Sequence, residues 1–255
     1  MCPVRRDGRH PQKKLPLNGT HFTHRGLWVW TSIDSVTKYL LGMHADIRDK
    51  KTGYSFLTRT IAKFADPYKP YYMTDGYEIY SKYLRTILGE EVKRVYKTKR
   101  WHTRKKTYAY REGVNYGQVV KTRNGKKLEK VDFVQVAGDV PKAYFNTSAV
   151  ERMNLTIRNG MARMKRISQT FSKDLDALQQ SCLVFRTFYN FCRPHSSLSS
   201  GSDKVTPAMR MGLTDHVWDI REMMTFSFRK NIRKLRVQDQ WISADTSLIR
   251  PISQR

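Results

Sequence analysis

Apolar residues recur along this chain with a period that switches between two and about 3.6, and the switches mark its elements. Leu27-Trp28-Val29-Trp30-Thr31-Ser32-Ile33 is a run of strand formers that stops at Asp34-Ser35, and Val36 to His44 reads as the returning strand of a hairpin. From Tyr54 to Phe64 the apolar positions Phe56, Leu57, Ile61 and Phe64 take helical spacing, with Pro67 and Pro70 beyond them. Tyr71-Tyr72-Met73-Thr74 then reads as a short buried strand ending at Asp75-Gly76, and Ile79 to Leu88 as the next helix. Strand and helix in alternation predict an α/β domain.

Further along, Tyr116 to Val136 carries Asn124-Gly125 between two strand-like runs, a strong short-range hairpin signal. Two long helices follow. The first is expected over 149–167, with Val150, Met153, Ile157, Met161 and Met164 on one stripe and Arg152, Arg158, Arg163, Lys165 and Arg166 off it. The second is expected over 173–191, with Leu175, Leu178, Cys182, Phe185 and Tyr189 buried and Arg193-Pro194 ending it. Residues 1–26 read as an irregular basic lead-in containing Pro3, Pro11 and Pro16, residues 27–218 as the core, and residues 219–255 as a basic tail.

Charge sharpens this picture. The 255 residues carry 48 Lys and Arg against 22 Asp and Glu, a net charge of +26, which calls for a polyanionic partner. Nucleic acid is the default and an anionic membrane surface the weaker alternative. No apolar run approaches the roughly 18–20 residues of a spanning helix, so no membrane partner is expected. The first twenty residues lack the apolar stretch of a secretory signal, and a cytoplasmic location is expected. Cys2, Cys182 and Cys192 form no CxxC pair, which argues against zinc and against a disulfide framework; Cys182 and Cys192 read as small core residues. Within 91–145, residues 91–130 hold 14 Lys and Arg against 3 Glu, interleaved with Trp101, Tyr108, Tyr110 and Tyr116. This β-rich insertion reads either as a DNA-tracking surface that includes Lys105 and Lys106, or as a solvated basic hairpin.

Two carboxylates stand out inside this basic chain. Asp75 ends an apolar run at a glycine turn, and Glu151 opens an arginine-studded helix. Carboxylates in such a setting suit divalent-metal handling beside a phosphate backbone, because hard cations take oxygen ligands and neutralise charge at the reacting phosphate. Each has a plainer reading. Ser148-x-x-Glu151 is also a capping box, Asp75-Gly76 is also a common turn, and Asp34 sits where a hairpin turn favours Asp. His195 reads as a turn residue at a helix end, with proton transfer as the alternative.

Several ordered motifs carry a resemblance. They are Thr74-Asp75-Gly76-x-x-x-Tyr80; Thr147-Ser148-Ala149-Val150-Glu151-Arg152-Met153-Asn154-Leu155-Thr156-Ile157-Arg158-Asn159; Phe171-Ser172-Lys173; and Tyr189-Asn190-x-x-Arg193-Pro194-His195. Thr206-Pro207-Ala208-Met209 and Gly212-Leu213-Thr214-Asp215-His216-Val217-Trp218 extend the series. Together they resemble the DDE transposases of bacterial insertion sequences, in particular the insertion-sequence-one-like group, over Trp28 to Trp218 with 91–145 the weakest stretch.

The resemblance implies a ribonuclease-H-like fold, a mixed sheet flanked by helices, with a basic β-rich insertion and a helical C-terminal part. It implies an Asp-Asp-Glu triad binding Mg²⁺ or Mn²⁺, metal-dependent DNA cleavage and strand transfer, element ends and target DNA as partners, and a homo-oligomer in the active state. Asp75 matches the second Asp and Glu151 the Glu, both as catalytic residues and metal ligands. Arg152, Asn154, Arg158, Arg163, Lys165, Arg166, Lys105 and Lys106 are the expected DNA contacts. The family's first Asp lies upstream of a Trp-x-Trp-x-x-Ile-Asp segment that here is Trp28 to Asp34. Asp34 therefore matches a hairpin position and is a weak substitute, Asp7 lies in a segment without strand pattern, and the expectation is a chain truncated before its first strand. Two other readings stand beside catalysis: a non-catalytic DNA-binding remnant of such an enzyme, and a basic RNA- or ribosome-associated structural protein.

Overall fold

A computed structural model describes residues 27–92, 107–125, 127–164, 172 and 174–226, together with three two-residue strands nearer the amino terminus. In chain order the elements are β1 (Cys2–Pro3), β2 (Pro16–Leu17), β3 (Thr20–His21), β4 (Leu27–Ile33), β5 (Leu40–Ile47), α1 (Lys50–Ile61) and β6 (Tyr71–Asp75). Then come α2 (Glu78–Leu88), β7 (Gly89–Val92), β8 (Thr107–Tyr110), β9 (Asn115–Asn124), β10 (Lys127–Ala137) and α3 (Ser148–Gly160). The series ends with α4 (Leu175–Thr187), α5 (Pro207–Arg210) and α6 (Ile220–Thr225). The class is mixed α/β with small sheets. The chain divides into two compact units, one drawn from Met1–Thr52 and Ser148–Arg255, the other from Gly53–Thr147.

The first unit is built on the β4–β5 hairpin. Its antiparallel register pairs Val29 with Ala45 and Thr31 with Met43, and β1 adds to the outer edge of β4. Directly opposed residues share a face, so Val29, Met43 and Ala45 lie together. They join Leu40 in one apolar cluster with Met153, Ile157, Met161 and Met164 and with Leu178, Cys182, Phe185 and Tyr189. Both predicted apolar stripes thus supply the core. Their period is helical, and burying a stripe against a sheet face is the main source of helix stability in proteins.

Several boundaries differ from expectation for local reasons. The returning strand begins at Leu40, not Val36, because residues 34–39 are consumed by a turn: Val36 and Thr37 donate their backbone N–H groups to Asp34 Oδ1 and Oδ2 at 3.1 and 3.2 Å, and Lys38 adopts φ +61°. The helix expected over 149–167 stops at Gly160, where a 3₁₀ turn over Ala162–Met164 takes over, and residues 165–167 lie outside the described residues. A Cβ at Gly160 would stand 2.8 Å from Phe185 Cε2, so the ring of α4 seats where a side chain would otherwise project. The second helix is α-helical only to Thr187 and widens into a π turn over Phe188–Cys192, closed by Arg193 N–H donating to the Phe188 carbonyl at 3.1 Å. The wider turn lets two successive residues, Tyr189 and Asn190, both point inward.

The second unit holds a three-stranded sheet in the order β10-β9-β6, with β9 antiparallel to β10 and parallel to β6. The Asn124-Gly125 hairpin forms as its sequence predicts, with Gly125 at φ +59°, a conformation glycine adopts without a Cβ penalty. The strand predicted over 71–74 forms as β6, but it is half-buried rather than buried, with Tyr71 44% exposed. α1 starts earlier than its apolar pattern, because Asp49 Oδ1 accepts the Thr52 N–H at 2.7 Å and caps the first turn. Tyr80, Leu84 and Leu88, spaced by four, form the buried side of α2.

The pin of the first unit is Asn190, 1% exposed. Its Oδ1 accepts the Leu40 N–H at 2.9 Å and its Nδ2 donates to the Leu40 carbonyl at 3.1 Å. Replacing Asn190 by Ala leaves both backbone groups buried without partners, and each such group costs about 1–3 kcal/mol. The expected loss is about 2–4 kcal/mol in urea unfolding of the full chain; an Asn190→Ala variant as stable as the parent would show that the pin carries nothing.

Candidate functional site

The expected site residues divide between the two units. In the first, Glu151 and Arg152 stand exposed in the first turn of α3. An acidic side chain there is favoured by the positive end of the helix dipole. Arg158 is half-buried further along α3, and Arg163, exposed, donates Nη1–H to Ser172 Oγ at 3.1 Å. Asn154, expected among the DNA contacts, is instead 5% exposed, with Thr31 Oγ1 at 3.5 Å from its Oδ1. It lies one position beyond Met153 and three before Ile157, inside the arc that α3 buries. Lys105, Lys106, Lys165 and Arg166 lie outside the described residues.

Asp34, the weak candidate for a first carboxylate, is committed to its turn. Besides the two backbone N–H groups, Thr37 donates its hydroxyl to Oδ2, so both oxygens accept hydrogen bonds. This is the hairpin role its sequence position suggests.

A cluster that sequence spacing conceals lies in the same unit. His195 sits beyond the π turn, its Nδ1 2.9 Å from Ser197 Oγ and its ring edge-on to Tyr189 at 6.4 Å. Partial burial, then the positive charges of Lys38, Arg193 and Arg152, hold its imidazole below the ordinary value. Cations from the β4–β5 turn, α3 and the end of the π turn thus all act on one imidazole. The Lys38 ammonium also donates to the Ser35 carbonyl within its own turn, so part of its hydrogen-bonding capacity is met locally. Only Arg152 of these four was expected as a DNA contact; Lys38 and Arg193–His195 are more than 150 positions apart, so no local pattern signals their meeting.

In the second unit Asp75 closes β6, half-buried. Its Oδ1 accepts the Tyr77 N–H at 3.1 Å, the Asx turn that the Asp-Gly sequence favours. Its carbonyl accepts from Gln118 Nε2 at 3.3 Å and Thr74 Oγ1 at 3.0 Å, and Thr74 Oγ1 lies 2.8 Å from the Tyr116 hydroxyl. Burial holds that phenol well above its usual pKa, so it stays protonated. Parallel pairing sets Asp75 beside Val119 at the carboxyl end of β6. In open α/β sheets that end is where ligands bind.

Among the described residues no group of three or more His, Cys, Asp and Glu could hold a metal ion, and no helix is long and apolar enough to cross a membrane. Cys182 is a buried core residue, as expected, whereas Cys192 is only half-buried. Compared with known proteins, the chain matches no family profile, no curated protein and no solved structure.

The His195 cluster makes a prediction with a definite sign. The folded pKa lies below 6.5, so as pH falls the unfolded chain takes up the proton first. The folded state therefore suffers no penalty above pH 6.5 and loses stability as pH drops through 6.5 towards the lowered value. An NMR titration should place His195 below 6.5, and Lys38→Ala and Arg152→Ala should each move it back upward. A midpoint unmoved by either substitution would mean that the cations do not act on the ring.

Proposed function

We propose that this chain is a DNA-binding protein of the DDE transposase kind, with a ribonuclease-H-like core, in which Asp75 and Glu151 are the metal-binding carboxylates. The observation that carries the reading is Asp75 at the carboxyl end of a strand paired parallel to its neighbour, in a chain of net charge +26. The order hairpin, helix, parallel strand, helix supports the fold, and the exposed first turn of α3 supports the role of Glu151. In this reading Mg²⁺ or Mn²⁺ supplies charge neutralisation at the reacting phosphate. The chain's own residues do the rest. Arg152, Lys38 and Arg193 hold the phosphate backbone, and the hydrogen bonds around Thr74 and Gln118 fix the end of β6. DNA of the element and its target are the partners, the active form is a homo-oligomer, and the place of action is the bacterial cytoplasm.

A second reading, DNA binding without catalysis, is favoured by Asp34. Its two oxygens are both taken up by the hairpin turn, which leaves it poorly placed to complete a triad with Asp75 and Glu151.

Three measurements separate these readings from each other and from an unrelated role. Duplex DNA affinity should fall by on the order of 10³ or more between about 50 and 200 mM salt, as expected for six or more phosphate contacts; a salt-insensitive dissociation constant would remove the DNA reading altogether. Asp75→Asn and Glu151→Gln should each weaken Mn²⁺ binding at least about tenfold, no less than the loss that outer-shell substitutions bring. Ligands of one ion are coupled, so the double variant should lose little more than either single one; independent, additive losses would assign the two carboxylates to different sites. On a pre-cut element end, the intact chain should show little or no Mg²⁺- or Mn²⁺-dependent joining, because two carboxylates underfill the oxygen shell of a pair of hard cations. Efficient joining that Asp34→Ala abolishes, with folding and DNA binding intact, would refute this and assign the third carboxylate to Asp34.

A further inference from the structure

The sheet of the second unit leaves large aromatic side chains in solvent on one face. Tyr71, Met73 and Asp75 alternate onto the same face of β6, and the parallel register sets Met73 beside Gly117 and Asp75 beside Val119. Across the next pairing, Val119 stands opposite Phe133, so Asp75, Val119 and Phe133 form one cross-strand row. Two strand spacings put Phe133 about 10 Å from Asp75, and four residues of strand put Tyr71 about 13 Å from it.

These aromatics are held in fixed positions although they are exposed. Tyr71 and Tyr144 stack with ring centroids 4.8 Å apart at 13°, yet remain 44% and 47% exposed. Phe133 is 61% exposed and meets the edge of Phe145, with centroids 5.7 Å apart. Phe145 in turn lies over Gly117, where a Cβ would come 2.6 Å from its Cε1. The absence of a side chain at Gly117 is what lets that ring settle on the sheet. A solvent-facing aromatic is an ordinary surface feature when single. Here two strand residues, Phe133 and Tyr71, share a sheet face with one carboxylate, and Tyr144 joins them through its stack on Tyr71, in a unit whose residues 53–147 carry 20 Lys and Arg against 9 Asp and Glu.

We propose that Tyr71, Tyr144 and Phe133 form a base-stacking platform for single-stranded DNA, running across the sheet face that carries Asp75. The inference rests on the DNA-binding reading and adds to it the kind of DNA and where its bases go. Base stacking on aromatic rings is tolerant of sequence, since every base has a π face, and combines with backbone attraction to a basic surface. A duplex keeps its base faces covered and cannot use such rings. Unpaired nucleotides can, and their bases would lie across the sheet from Asp75 on Phe133 and back along β6 on Tyr71 and Tyr144.

The test compares three DNAs on the full-length chain: an oligo-dT strand, an abasic strand of the same length, and a duplex. The parent should bind oligo-dT at least about tenfold more tightly than the abasic strand, the scale that one well-stacked base brings. Phe133→Ser combined with Tyr144→Ser should lower oligo-dT affinity to the abasic level while leaving abasic and duplex binding and their salt dependence unchanged. Phe133→Trp and Tyr144→Phe, which keep a ring at each position, should retain the preference and serve as the control if the serine variant misfolds. Equal affinity of the parent for oligo-dT and abasic DNA, with steep salt-dependent duplex binding, would overturn the platform and leave the DNA-binding reading standing. Failure of all three DNAs to bind at low salt would overturn both. Tighter binding of oligo-rU than oligo-dT, or a dimer that Phe133→Ser dissociates, would replace single-stranded DNA by RNA or by a second copy of the chain.

Discussion

The first unit depends on one side-chain amide doing what a neighbouring strand would otherwise do. Leu40 opens β5 in a fully buried position, and its N–H and C=O both end on Asn190. Buried backbone groups must be paired, because desolvating them without partners costs more than the fold's narrow stability margin tolerates in number. An amide can donate and accept at once from two separate atoms, so one Asn satisfies both groups where an ionised Asp, which only accepts, could not. Further along, Gln179 Nε2 donates to the Ala45 carbonyl at 3.1 Å, so β5 is fastened at Leu40 and again at Ala45, near its two ends. Between them Cys182 and Phe185 fill the apolar interval. The π turn is the geometric condition for this arrangement: without its extra residue, Tyr189 and Asn190 could not both face inward.

Much of the fold was legible because it follows from local period and turn chemistry. Of the two predicted stripes, Met153, Ile157, Met161 and Met164 and then Leu178, Cys182, Phe185 and Tyr189 are buried, whereas Val150 and Leu175, at the helix starts, are only half-buried; Asn124-Gly125 turns where it should. What escaped the sequence was decided by single side chains acting on the backbone. Asp49 extends α1 backward, and Asp34 with Lys38 delays β5 by four residues. The Asn190–Leu40 pair spans 150 positions and leaves no periodic trace. Asn154 was misjudged by polarity: its position on α3 is an interior one, and burial followed position, not side-chain type.

The same distinction bears on how far motifs can carry function. Thr206 caps α5 by accepting the Met209 N–H at 3.2 Å, Pro207 occupies the first helical position, and Gly212 takes φ +73° at the exit. That run has a complete structural account. Asn190 has one too, and so does Asp34. Trp218, between Phe191 and Phe226 with centroids 4.4 and 4.6 Å away, completes a small aromatic core with its indole N–H donated to Thr214. Motif residues of this kind establish that a chain folds in a certain way and say little about what it does.

The residues that packing does not require are therefore the ones function must explain. Partial burial and then the charges of Lys38, Arg193 and Arg152 hold the His195 imidazole below its ordinary value, an arrangement that carries a cost because like charges repel. Phe133, Tyr71 and Tyr144 leave apolar area in water beside a carboxylate at a strand's carboxyl end. In the proposed reading one ligand answers both, because phosphates would relieve the repulsion and bases would cover the rings. The rings do have packing partners, Tyr71 against Tyr144 and Phe133 against Phe145, so it is the area they still leave exposed, and not their placement, that the proposed ligand explains.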